Sequence, residues 1–163
     1  KNLYKQLKIQ RYFMGLDKLR LLYQTEVLDY ANNPRNKSAM INPTAFEVVH
    51  NPSCGDTVTV FVKLVGNKIE DVSFTGTGCT ISQASASMMT VAVKGKTKDE
   101  ALKMAKIFSD MAMGKKHLDK DLTLLGDAAI LTQVMQFPTR IKCATISWWA
   151  LSQALLKKGK VND

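Results

Sequence analysis

The chain has 163 residues, about the length of one domain, and 45% of them are hydrophobic while 23% are charged. This composition is typical of a globular protein, and it excludes collagen-like, low-complexity and wholly disordered chains. The formal net charge is +9, yet the basic residues are not interleaved with aromatic side chains that stack on bases. We therefore expect a protein partner and not nucleic acid. We expect no membrane partner, because no apolar stretch reaches the ~18 residues of a membrane span.

The N-terminal part of the chain predicts a helix that begins near Asp17 and ends at the turn Asn32-Asn33-Pro34. Apolar residues recur there at steps of three and four, which is the spacing of an amphipathic helix. We expect residues 1–15 to form a basic arm or a short helix, and residues 16–163 to form a single domain. The apolar stripe consists of Leu19, Leu22, Tyr23, Val27 and Tyr30.

The middle of the chain predicts three strands, because it is rich in Val, Phe, Ile and Thr. In the second strand the even-numbered residues from Val58 to Leu64 are apolar and alternate with other types, so one face is expected to lie on a core. Gly66-Asn67 predicts a hairpin turn before the third strand. The predicted strands are Ala45–His50, Thr57–Val65 and Lys68–Gly76.

The C-terminal half predicts four helices. Thr97 and Glu100 match a capping box that opens a lysine-rich helix ending at about Gly114. One helix, three strands and then several helices predict an α+β fold, in which an N-terminal helix precedes a three-stranded antiparallel sheet and helices pack on one face of it. The other helices are predicted over Ile81–Lys94, over part of Leu122–Gln136, and from about Arg140 to Lys158.

Three cysteines stand at positions 54, 79 and 143, an odd number that cannot pair internally. We therefore expect reduced cysteines and a cytoplasmic protein, in which isolated cysteines are ordinarily small buried apolar residues. Two of them, however, have surroundings that favour a thiolate. Cys79 begins a predicted helix, whose positive dipole end stabilises a negative charge, and Cys143 is flanked by Arg140 and Lys142.

The third cysteine, Cys54, lies in a turn sequence with Asp56, whose carboxylate reaches the same point if Gly55 lets the chain curl. Three cysteines and one carboxylate are suitable ligands for a tetrahedral zinc site. Their long separations do not establish proximity, so three unrelated cysteines are the alternative. Neither His50, at a strand end near Cys54, nor His117, expected at the surface, completes a familiar catalytic signature.

The three motifs that contain the cysteines resemble, in the same order, those of the NifU/IscU family of iron–sulfur cluster assembly proteins. The resemblance covers about residues 16–158. Two details are similar to the SufU branch of the family: the additional segment over about Thr97–Gly114, and Lys142, where cluster scaffolds of the IscU branch have a histidine. The motifs begin at Asn51, Gly76 and Arg140 and read NPSCGD, GTGCTISQASAS and RIKCAT.

The resemblance implies a SufE/NifU-like fold and a zinc site formed by Cys54, Asp56, Cys79 and Cys143. It also implies a sulfur carrier, not an enzyme that turns over a small molecule. A pyridoxal-phosphate cysteine desulfurase of the SufS type would supply the sulfur, and downstream cluster-assembly proteins would receive it. We expect Cys54 to be the sulfur acceptor, because the glycine beside it makes local movement easy. The alternative is a scaffold that assembles and transfers a [2Fe–2S] cluster on the same residues.

Arg140 and Lys142 have two interpretations. They are either solvated charges at a helix start, or they steer the partner and stabilise sulfur anions near Cys143. The metal content separates the zinc carrier from the scaffold. Salt-dependent binding to DNA or RNA would test a third hypothesis, a basic nucleic-acid-binding domain.

Overall fold

The computed structural model describes residues 16–53 and 55–157. Cys54 and the predicted arm over residues 1–15 lie outside the described residues, as does Lys158 at the end of the last predicted helix. The division of the chain into an arm and a single domain therefore stays a prediction. Within the described residues, no helix is both long and apolar enough to cross a membrane.

The first helix, α1, spans Leu16–Asn32 and confirms the amphipathic pattern. Its stripe from Tyr23 to Tyr30 is buried in the core. Just beyond the helix, the Arg35 guanidinium lies 4.0 Å from the centre of the Tyr30 ring and forms an ion pair with Asp29 at 2.8 Å. These contacts fix the turn that leads from α1 towards the sheet.

Three strands, β1 (Ala45–Asn51), β2 (Asp56–Val65) and β3 (Lys68–Thr77), form an antiparallel sheet in the order β1-β2-β3. Their boundaries agree with the predicted ones to within one residue. Alternate residues of β2 are buried and their neighbours are half-exposed, which confirms the predicted alternation. Because Asn51 pairs with Asp56, the connection between β1 and β2 lies at one end of the sheet.

The further helices are α2 (Thr80–Val93), α3 (Lys98–Ala112), α4 (Asp119–Leu124) and α5 (Ile141–Leu156). The last of them, α5, contacts β1, β2, α2 and α3. Its Trp148 is fully buried, stacks on Phe108 of α3 with ring centroids 4.7 Å apart, and donates a hydrogen bond from Nε1 to Ser85 Oγ at 3.1 Å. Helix α5 therefore joins the sheet to the helices that precede it, and the predicted α+β architecture is confirmed.

The segment Leu122–Gln136 differs from the predicted helix. Helix α4 ends at Leu124, and 3₁₀ turns then cover Gly126–Gln136 and Pro138–Arg140. Gly126 has a φ of +59°, a left-handed conformation that interrupts an α-helix. Many of the apolar residues in this segment are still buried. The pattern therefore predicted the contact with the core correctly but not the type of helix.

Candidate metal centre

Asp56 is placed by the turn between β1 and β2. The Gly55 N–H donates a hydrogen bond to the Asn51 carbonyl at 2.8 Å, and the Ser53 N–H donates to the Asn51 side-chain oxygen at 3.2 Å. Gly55 has a φ of +73°, which glycine adopts without strain. The turn thus brings Asp56 to the first position of β2 with only 2% of its surface exposed.

Cys79 immediately precedes α2 and is held against the Asp56 carboxylate. Its backbone N–H donates to Asp56 Oδ1 at 3.0 Å, and its Sγ lies 3.8 Å from Oδ2. This close approach needs a glycine at position 78, because a Cβ there would overlap both Asp56 Oδ1 and the hydroxyl of Ser82. That hydroxyl donates to the Cys79 carbonyl at 2.9 Å and so helps to fix the start of the helix.

Cys143 lies in the first turn of α5 and is fully buried. The neighbouring Ala144 carbonyl accepts a hydrogen bond from Ser85 Oγ of α2 at 2.5 Å. Because Ser85 also accepts from Trp148, α2 and α5 are fastened together one residue away from Cys143. The packing of the two helices therefore brings Cys143 close to Cys79.

The ligand atoms of Asp56, Cys79 and Cys143 all lie within 4.8 Å of one another. In a tetrahedral zinc site, bonds of about 2.3 Å to sulfur and 2.1 Å to oxygen separate the ligand atoms by about 3.6–3.8 Å. The 3.8 Å between Cys79 Sγ and Asp56 Oδ2 agrees with this geometry. The fourth predicted ligand, Cys54, lies outside the described residues, but its neighbours Ser53 and Gly55 belong to the same turn as Asp56. The residues present therefore fit a zinc ion.

The other predicted site residues lie around this cluster, which we call the Asp/Cys cluster. Arg140, just before α5, and Lys142, in its first turn, are both exposed. Lys142 lines a groove of about 430 Å³ together with His50, Pro52 and Trp149. His50 is exposed, and its Nδ1 lies 2.9 Å from Thr57 Oγ1. Among the described residues it is therefore not part of the Asp/Cys cluster.

His117, expected at the surface, is half-buried there: its side chain is 22% exposed and lies between two carboxylates. Nε2 is 3.0 Å from Asp110 Oδ2, and Nδ1 is 3.6 Å from Asp121 Oδ2. The histidine therefore fastens the end of α3 to α4, a structural role that its position in a polar connector did not indicate.

Sequence reasoning missed Tyr23, which it treated only as an apolar member of the α1 stripe. The residue is 7% exposed, and its hydroxyl oxygen is buried without a hydrogen-bond partner in the structure. Burial raises the pKa of the Tyr23 phenol to about 12, with a further contribution from the negative charge of Cys79. No sequence signal distinguishes a buried tyrosine whose hydroxyl has no hydrogen-bond partner from one whose hydroxyl is bonded.

The family model described as NifU-like N terminal domain matches residues 22–144. The zinc-dependent sulfurtransferase SufU of Bacillus subtilis strain 168 is 48% identical over 137 residues, which cover 84% of this chain and 91% of that protein. The iron–sulfur cluster assembly scaffold protein IscU of Streptococcus pyogenes serotype M1 is 46% identical over 143 residues, which cover 87% of each. A crystal structure described only as that of a hypothetical protein matches with a TM-score of 0.76 and 44% identity, over 83% of this chain and 97% of that one.

Proposed function

The chain belongs to the family of NifU-like N-terminal domains, and from this premise we propose that it is a zinc-dependent sulfur acceptor that serves iron–sulfur cluster assembly. The observation that carries the proposal is the convergence of Asp56, Cys79 and Cys143 beside the turn that contains Cys54. The relatives named sulfurtransferase and scaffold differ by only two percentage points of identity (48% against 46%), so similarity alone does not choose between them. The choice rests on the donor atoms of the site.

These donor atoms favour zinc. A carboxylate and cysteine thiolates are among the ligands that zinc binds tetrahedrally, and a bound zinc would keep the thiolates unprotonated without redox chemistry. Lys142 stands where the cluster scaffolds of the IscU branch have a histidine, and a charged lysine does not replace that ligand. The histidine nearest in sequence to Cys54, His50, instead lies beside the Thr57 hydroxyl. The nitrogen donor expected of a scaffold site is thus missing from the described residues.

We assign the sulfur-accepting step to Cys54. Its thiolate attacks the terminal sulfur of a persulfide carried by a cysteine of the desulfurase. A sulfur–sulfur bond forms at Cys54 as the one on the desulfurase breaks, and the desulfurase cysteine leaves as a thiolate. The sulfur changes carrier without an external oxidant or reductant, and downstream cluster-assembly proteins would take it from Cys54 by the same exchange.

The surroundings of the three cysteines support this assignment. Cys143 is fully buried in α5, and the backbone of Cys79 is bonded to Asp56 at the start of α2. Moving either residue would disturb helix packing. By contrast, Ser53 and Gly55 on both sides of Cys54 are exposed residues of a turn. A partner can therefore approach this turn without unfolding a helix.

The charges near the site suit an anionic partner. Arg140 and Lys142 are exposed beside the start of α5, and the whole chain carries +9. We propose that both residues attract a pyridoxal-phosphate cysteine desulfurase and stabilise the sulfur anion during transfer. Because the reaction needs reduced cysteines, it is suited to the reducing conditions of a cytoplasm.

The second candidate function is a scaffold that assembles a [2Fe–2S] cluster on the same residues. It is favoured by the name of the Streptococcus pyogenes relative, which is 46% identical over most of this chain. Cysteine thiolates are the usual ligands of such clusters. The two functions differ in the metal that the protein retains on purification.

The test combines metal analysis with desulfurase activity. We expect protein purified without added metal to contain one zinc per chain, to be colourless, and to stimulate cysteine turnover by its desulfurase. The Cys54→Ser variant should lose this stimulation, while Ser53→Ala, a change at the neighbouring exposed residue, should retain it. Protein that contains iron and absorbs visible light, or zinc protein that leaves the desulfurase rate unchanged, would contradict the proposal.

A further inference from the structure

Ser85 is a buried hydroxyl residue that joins the helix after Cys79 to the helix that carries Cys143. It lies in the second turn of α2 and is fully buried. Its Oγ donates to the Ala144 carbonyl of α5 at 2.5 Å and accepts a hydrogen bond from Trp148 Nε1 at 3.1 Å. Because a hydroxyl has a single proton to donate, Ser85 gives its one donor and an acceptor site to the same neighbouring helix.

The two bonds reach successive turns of α5. Ala144 and Trp148 are four residues apart, so they lie one above the other on the same face of that helix. The bond to Ala144 is made to the backbone, which no side-chain rotation can carry away. The bond from Trp148 comes from a fully buried ring that is stacked on Phe108. Together the two bonds oppose both sliding and rotation of α5 against α2.

Two other serines of α2 show that this link belongs to position 85. Ser82 donates to the Cys79 carbonyl, at the start of its own helix. Ser87 accepts the Arg35 backbone N–H at 2.8 Å, which ties α2 to the segment that follows α1. Both serines are buried, as Ser85 is, but these bonds do not reach α5. Among the three, Ser85 is thus the one bonded to the helix of Cys143.

The position of these bonds affects the Asp/Cys cluster directly. Cys79 is fixed just before α2 by the bond from its backbone N–H to Asp56, and Cys143 immediately precedes Ala144 in α5. Any displacement of α5 against α2 therefore changes the separation of the two sulfur atoms, which lie within 4.8 Å of each other. Metal–ligand distances tolerate deviations of only about 0.2 Å, so such a displacement weakens metal binding.

We propose that Ser85 is a positioning residue that holds the Cys143 sulfur at metal-binding distance from the Cys79 sulfur, an inference that rests on the proposed zinc centre. The bonds of Ser85 need no metal, so the two cysteines are placed as soon as the chain folds. Ligands that are ordered in advance bind more tightly, because less freedom is lost on binding. The same bonds keep both cysteines in place when Cys54 moves to accept sulfur.

The test compares Ser85→Ala with Ser87→Ala, a matched control that removes the same atom from an equally buried serine of the same helix. Cobalt(II) in place of zinc reports the geometry of the ligands through its d–d absorption bands. We expect Ser85→Ala to change these bands and to weaken zinc binding about tenfold, as is usual when a group that orients metal ligands is removed. Ser87→Ala should leave the bands and the zinc affinity unchanged, although it also loses a buried hydrogen bond.

Alkylation of the metal-free protein gives a second readout, which no metal influences. Cys143 is buried and Cys79 is partly exposed, so iodoacetamide should modify Cys143 much more slowly in the wild type. Ser85→Ala should raise the initial rate at Cys143 several-fold, because the start of α5 is no longer held against α2. Ser87→Ala should leave this rate unchanged. Mass spectrometry of the digested protein measures the rate at each cysteine.

The outcomes separate this inference from the proposed function. Equal initial rates at Cys79 and Cys143 in the wild type would overturn the role of Ser85, whether or not its variant folds. Wild-type cobalt bands and zinc affinity in Ser85→Ala, or equal changes in Ser85→Ala and Ser87→Ala, would overturn it while the zinc centre stands. A wild-type chain that binds neither cobalt nor zinc would overturn the zinc centre and this inference with it.

Discussion

Asp56 contributes to the site through both of its carboxylate oxygens. Oδ1 accepts the Cys79 backbone N–H at 3.0 Å, while Oδ2 lies 3.8 Å from the Cys79 sulfur. One oxygen thus fixes the start of α2, and the other faces the Cys79 sulfur. These two roles can be separated, because an amide oxygen can accept the backbone bond but has no negative charge to offer the metal.

We therefore expect Asp56→Asn and Asp56→Ala to differ in stability but not in metal binding. Both should weaken zinc binding in competition with a chelator, because both remove the charged ligand. Only Asp56→Ala should also lose about 1 kcal/mol in the free energy of unfolding of the metal-free protein, because it leaves the half-buried Cys79 N–H without its acceptor. Wild-type zinc affinity in Asp56→Asn would show that the carboxylate is not a ligand.

The sequence motifs predicted Asp56, Cys79 and Cys143 as metal ligands, and the structure brings these three residues together. The partners of their atoms were not predictable. The requirement for a glycine at position 78 arises from the approach of Asp56 and Ser82, which are distant from each other in sequence. The buried hydroxyl of Tyr23 is likewise visible only once α1 is placed against α2.

At the scale of elements, α3 shows which helix signals can be read locally. The predicted capping box is present: the Glu100 N–H donates to Thr97 Oγ1 at 3.1 Å, and the Thr97 N–H donates to Glu100 Oε1 at 3.0 Å. Both partners lie within four positions of the chain, so the sequence specifies them. The end of the helix is different, because Asp110 is bonded there by Lys106 and by His117 from the following connector.

The stabilisation that Asp110 contributes at this end of α3 depends on pH. Burial raises the pKa of its carboxyl, but hydrogen bonds from His117 and Lys106 outweigh burial and hold the pKa below its usual value. A carboxyl with a lowered folded-state pKa stabilises the fold above its unfolded pKa of about 3.9, and this contribution is lost as the pH falls through the folded value. The stabilisation by Asp110 is therefore present at neutral pH and disappears in acid.

We expect Asp110→Asn to lower the free energy of unfolding by about 1–2 kcal/mol at pH 7, and the difference from wild type to shrink below about pH 4. Urea unfolding at a series of pH values measures it. The matched control is Glu70→Gln, at an exposed position of β3, which should change stability little. A difference between Asp110→Asn and wild type that persists unchanged at pH 2 would mean that the charge of Asp110 is not its cause.

At the scale of the whole molecule, hydrophobic periodicity predicted the order of helices and strands and the face of the sheet that is buried. It did not predict the 3₁₀ segment after Gly126, because buried apolar residues recur in tight turns as well as in an α-helix. Hydrophobic periodicity could not predict the Asp/Cys cluster. Its members come from a strand start, a helix start and a later helix, and only the packing of α2 against α5 unites them. The resemblance of three motifs to one family supplied this information.

The central claim is that the chain receives sulfur on Cys54 while the other cysteines stay in place. The most direct measurement incubates the zinc protein with its desulfurase and cysteine, and maps the additional sulfur by mass spectrometry. We expect one additional sulfur atom on the peptide that contains Cys54, and none in the Cys54→Ser variant. A persulfide on Cys143 that still forms in Cys54→Ser would contradict the account.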